Sequence, residues 1–77
     1  MEKWEFCYVD CVRHEMVRFT PDGAVEKKLK KDKSREGDSK GDATARVVAW
    51  LGLEGWELAG GTWDVGPVLF FRRRVGA

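Results

Sequence analysis

The octapeptide Leu51-Gly52-Leu53-Glu54-Gly55-Trp56-Glu57-Leu58 constrains the fold more than any other stretch of this 77-residue chain. It joins the end of an apolar helical run to the start of an alternating strand with almost nothing between them. Gly52 suits the left-handed position that closes many helices, and Leu53 falls where it would contact Val48, one turn back. Gly55 turns the chain again, and Trp56-Glu57-Leu58 opens a strand expected to run to Gly61.

Upstream of this reversal the spacing predicts a helix over Asp42–Leu51, capped by Ser39 or Asp42 in a weak Ser39-x-x-Asp42 capping box. At 100° per residue, Ala43, Val47, Val48, Trp50 and Leu51 share an arc of roughly 160°. Trp4–Val12 reads as a strand with Trp4, Phe6 and Tyr8 on one face and Cys7, Val9 and Cys11 on the other. Arg13-His14-Glu15 is a polar break, and Met16–Phe19 resumes extended character. Thr20-Pro21-Asp22-Gly23 is a turn, with proline fixing φ at the second position and glycine suited to the fourth. It pairs Met16–Phe19 with Ala24–Leu29, although Val25–Leu29 also fits a helical turn. Residues 62–67 look like a hairpin loop, and Val68–Arg73 is the last strand. The expected class is α+β: an antiparallel sheet of three to five strands with one helix on one face.

Residues 1–77 suffice for a single domain. A chain of this size buries only about 60% of the surface it exposes when unfolded. Nine aromatic residues are a heavy load for such a core, and a second copy of the chain is expected to cover some of them. Lys30–Gly41 contains no apolar residue and reads as a mobile charged loop. The net charge of +1 gives no global field that would draw the chain to nucleic acid or anionic membrane. No apolar run approaches the roughly 20 residues that cross a bilayer. Met1–Trp4 lacks the apolar core of a signal peptide, and two cysteines make no disulfide framework, so a cytoplasmic location is expected.

Chemistry finds little to stand on. Cys7, Cys11 and His14 are potential metal ligands within eight residues. On a strand, however, Cys7 and Cys11 lie about 13 Å apart, too far for a shared zinc or a disulfide. They read as buried apolar cysteines. His14 is the only histidine, and adjacent Glu15 would point to the opposite face, so His14 reads as an exposed turn residue. Acid–base work by Glu54, Glu57 or Asp64 would need a cleft to hold substrate, and a chain this small has little volume for one; Glu57 is placed to pair with Arg72 or Arg73. No enzyme activity, metal or cofactor is expected.

Binding is the stronger expectation. Cys7, Val9, Cys11, Trp63 and Phe70 are the candidate interface of a homo-oligomer, a dimer being favoured, because the first and last strands are apolar on both faces while a single helix shields one. Two basic clusters, Lys27–Lys33 and Arg72–Arg74, suggest an alternative: single-stranded nucleic acid or an acidic partner held by Lys28, Lys31, Arg72, Arg73 and Arg74. A charge run that keeps an edge soluble is the simpler explanation of those lysines.

Trp4-Glu5-Phe6, the octapeptide 51–58 and Phe70-Phe71-Arg72-Arg73 together resemble a family of small bacterial proteins of unknown function. That family opens with a Trp-Glu-Tyr strand, closes its helix with Leu-Gly-x-Glu-Gly-Trp-Glu-Leu and ends with a Phe-Lys-Arg strand. The resemblance spans both ends of the chain, with the Phe19–Gly23 hairpin and charged loop as an insertion relative to the shortest members. It implies an antiparallel sheet with one helix, and it brings no activity, cofactor or catalytic residue.

Overall fold

A computed structural model describes residues 3–62 and 66–76. The elements run β1 (Lys3–Asp10), β2 (Glu15–Thr20), β3 (Gly23–Lys28), α1 (Lys40–Leu53), β4 (Glu57–Thr62) and β5 (Val68–Val75). They form one five-stranded antiparallel sheet in the order β3-β2-β1-β5-β4, with α1 packed on one face. The α+β architecture is therefore the expected one. Residues 23–28 are a strand, not a helical turn.

The strand pairs fix which side chains share a face. Cys7 stands opposite Phe71 and Val9 opposite Leu69, while Tyr8 stands opposite Phe70 and Val17. The first set meets the helix. Cys7, Val9, Leu29, Ala43, Leu51, Trp56 and Phe71 form the buried cluster, with Met16, Val47, Val48 and Leu69 packed around it. Leu51 is 1% exposed, and burying such a side chain contributes roughly 2 kcal/mol.

The helix departs from its expected limits at both ends. Ser39 is the N-cap: its hydroxyl accepts from Asp42 N–H, and the Asp42 carboxylate accepts from Ser39 N–H, so α1 begins two residues before Asp42. At the other end the backbone stays helical through Gly52 and Leu53, and the left-handed residue is Gly55, at φ 87°. Gly52 is thus not the closing residue, and Leu53 is 87% exposed instead of lying against Val48. Trp56 N–H then donates to Leu51 C=O at 2.9 Å, which drives the indole under the helix.

The buried helical arc is also rotated. Thr44 is 5% exposed and Trp50 is 51% exposed, the reverse of the amphipathic expectation. Thr44 tolerates burial because its hydroxyl donates to Lys40 C=O and meets His14 Nδ1, each at 2.9 Å. His14 is accordingly half-buried and not an exposed turn residue.

The segment between β3 and α1 carries turns of its own. Asp32 accepts from Ser34 N–H and Oγ, and Asp38 accepts from Asp32 N–H at 2.6 Å. Arg46 then grips both Asp38 oxygens, at 2.5 and 2.8 Å. The expectation of a loop without structure overlooked this charge-driven fastening.

Candidate interaction face

The helix occupies one side of the sheet, and no described element covers the other. Alternation along β1, β2 and β5 brings Trp4, Phe6, Tyr8, Val17, Phe19 and Phe70 onto this open side. Phe6, Phe19 and Phe70 are 47%, 45% and 39% exposed. Tyr8 sits between two of them, its ring centroid 5.7 Å from Phe19 and 5.6 Å from Phe70, both tilted. These separations and tilts suit the ring quadrupoles. Val17, the cross-strand partner of Tyr8, is only 2% exposed although it lies on the open side.

The basic corner of the same face belongs to β5. Arg72 and Arg74 alternate outward with Phe70, and both guanidinium groups lie against the Trp4 ring, at 4.6 and 5.5 Å from its centroid. Arg72 Nε also donates to Glu57 at 2.6 Å, the cross-strand partner expected from sequence. Arg73 turns to the helix side. It stacks on Trp56 at 4.6 Å, donates to Glu5, and reaches Glu54 C=O at 3.1 Å. Glu5 accepts from Arg18 as well. Partial burial pushes the Glu5 carboxyl up, but the bonds from Arg73 and Arg18 outweigh it and hold the group below its ordinary value.

The expected interface is therefore corrected. Cys7 and Val9, at 2% and 0% exposure, belong to the core under α1, and Cys11 packs against that core on the same side. Burial raises the Cys7 thiol to about 11, and burial with the nearby Asp10 charge raises Cys11 also. Phe70 does lie on the open face. Trp63 falls outside the described residues. A β-bulge interrupts β4, where pairing with β5 skips Ala59 between Leu58 and Gly60.

The proposed nucleic-acid contacts do not form one patch. Arg73 is on the opposite face from Arg72 and Arg74. Lys28 and Lys31 lie on and just after β3, three strand steps from β5, a separation of about 14 Å. Sequence reasoning missed Phe6 and Phe19 as exposed aromatics and Tyr8 as the half-buried ring beside Phe19, although the strand alternation that groups Phe6 with Tyr8 was visible. Among the described residues no group of three or more His, Cys, Asp or Glu side chains could hold a metal ion. No helix among them is long and apolar enough to cross a membrane. The chain matches no protein-family model, no curated protein and no solved structure, so its function must be read from this geometry.

Proposed function

We propose that this domain is a non-enzymatic self-association module whose open sheet face pairs with the same face of a second copy. The observation that carries the reading is the Tyr8–Phe19–Phe70 cluster, extended by Phe6, lying uncovered across three adjacent strands. Aromatic side chains so placed are costly to leave in water and are typical anchors of protein interfaces.

The area suits the task. A five-stranded sheet is about 24 Å wide, and strands of this length run about 20 Å, giving a footprint on the order of 500 Å² per copy. Two such faces approach the roughly 1,000 Å² that a specific interface needs. Stacked sheets pack about 10 Å apart and interdigitate their side chains, and a two-fold axis would set the patch against itself. The polar groups support a binding role over a catalytic one because structure already occupies them. His14 is bonded to Thr44, Glu5 to Arg18 and Arg73, Asp38 to Arg46, and Asp10 to the Val12 and Arg13 amides.

Light scattering coupled to gel filtration tests the reading. The expected result is a dimer at tens of micromolar, converted to a folded monomer by Phe19→Asp with Phe70→Asp. A monomeric parent protein would overturn it. Retention of a single-stranded oligonucleotide by that monomer, lost with Arg72→Ala and Arg74→Ala, would favour the nucleic-acid reading instead.

A further inference from the structure

We propose that the outer edge of β3 accepts an acidic, extended segment of a partner protein as an added strand, with apolar side chains of that segment seated between β3 and α1. This site is separate from the open sheet face, and the two proposals stand or fall independently.

β3 is the terminal strand of the sheet, and all six of its residues are exposed. Leu29 N–H donates to His14 C=O at 2.7 Å, which fixes the side of the strand that faces β2. Antiparallel alternation then points the N–H and C=O groups of Glu26 and Lys28 away from the sheet. These are the groups that strand addition uses.

Beside this edge runs a groove of about 470 Å³ whose lining includes Lys27, Lys28 and Lys30 on the strand side and Ala43, Val47 and Trp50 on the helix side. Trp50, half-exposed at its mouth, is the side chain that the amphipathic pattern wanted in the core. Arg46 also borders the groove, but its guanidinium is held by Asp38, so the lysines supply the available charge. Residues 26–31 carry four lysines against one glutamate. Two β3 edges brought together would stack like charge on like, whereas an acidic segment neutralises it. An occupant that pairs its backbone with β3, drops alternate apolar side chains beside Trp50 and turns carboxylates to the lysines meets all three features at once.

The probe is a short dye-labelled peptide alternating glutamate with valine, titrated by fluorescence anisotropy at low salt. Saturable binding that weakens with added salt is expected. Glu26→Pro removes one outward N–H at an edge position where proline fits. It should weaken binding about tenfold, the loss of roughly one strand hydrogen bond, although it also deletes the only carboxylate of residues 26–31. Glu26→Gln keeps the N–H and should bind at least as tightly as the parent. The same peptide N-methylated at alternate amides removes those bonds from the ligand side and should lose binding even if the proline variant fails to fold. Phe19→Asp with Phe70→Asp should leave binding intact. Equal binding of the N-methylated peptide, or no saturation by the unmodified one, would overturn the proposal.

Discussion

His14 and Thr44 meet at 2.9 Å although 30 residues separate them, and the contact ties the β1–β2 turn to the first turns of α1. Thr44 spends its hydroxyl proton on Lys40 C=O, so its oxygen must accept, and His14 must carry a proton on Nδ1. The His14 backbone adopts φ 53°, a left-handed conformation costly for any residue with a Cβ. Replacing His14 by glycine or alanine forfeits the same hydrogen bond, but glycine also relieves the backbone. His14→Gly should therefore be more stable than His14→Ala by about 1 kcal/mol in urea denaturation. Equal midpoints would mean that the turn relaxes out of this conformation.

Asp38 gives the fold an acid-sensitive fastening. The bidentate bond from Arg46, aided by the Asp32 amide, holds its carboxyl well below the ordinary carboxylate range. A depressed folded-state value means that the stabilisation is complete above the unfolded value of about 4 and fades as pH falls below it. Arg46→Gln should lower Tm at neutral pH, and the gap from the parent should narrow progressively below about pH 4. A gap that stayed constant with pH would show that Arg46 acts through packing alone.

Cys7 should resist modification in the folded protein. Its thiol is buried and raised to about 11, so its thiolate population near neutrality is about a hundredfold lower than that of a free thiol. Under a thiol-reactive reagent, half-buried Cys11 should label first, and Cys7 only at the rate of unfolding. Simultaneous labelling of both would indicate that α1 lifts readily from the sheet.

Gly66 approaches Val12 so closely that a Cβ built on it would lie 1.9 Å from Val12 Cγ2, and its φ is 118°. Beside it, Cys11 N–H donates to Pro67 C=O at 2.9 Å, joining the end of β1 to the start of β5. Gly66→Ala should thus cost about 1–3 kcal/mol, from backbone strain and the displaced β-branched neighbour. Partial recovery in Gly66→Ala with Val12→Ala would separate the steric part from the conformational one.

Much of the architecture was readable before any coordinates. Alternation in Trp4–Val12 sorted the first strand into two faces, and the Pro21-Asp22 turn, the helix and the Trp56 strand came from local chemistry. The choice of the covered face was not readable, because Cys7-Val9 and Phe6-Tyr8 are both apolar and parity separates the sets without ranking them. That choice belongs to the path of the helix across the sheet. Trp50 and Thr44 exchanged roles for a similar reason: hydropathy favours burying the indole, whereas a hydroxyl with two partners can be buried without penalty. The His14 partner and the Arg46 clamp join residues 30 and 8 positions apart, and no local pattern announces them.

The central position of β1 bears on how the molecule comes into being. Cys7 pairs with Phe71, 64 positions further along, so the middle ribbon receives its second neighbour long after its first. During synthesis Trp4–Asp10 can zip to the next hairpin at once but must wait for the final strand, its bonding edge bare in the meantime. Closure of this long-range pair is the expected slow step of folding, and the chain is most prone to mispairing while that edge stays open.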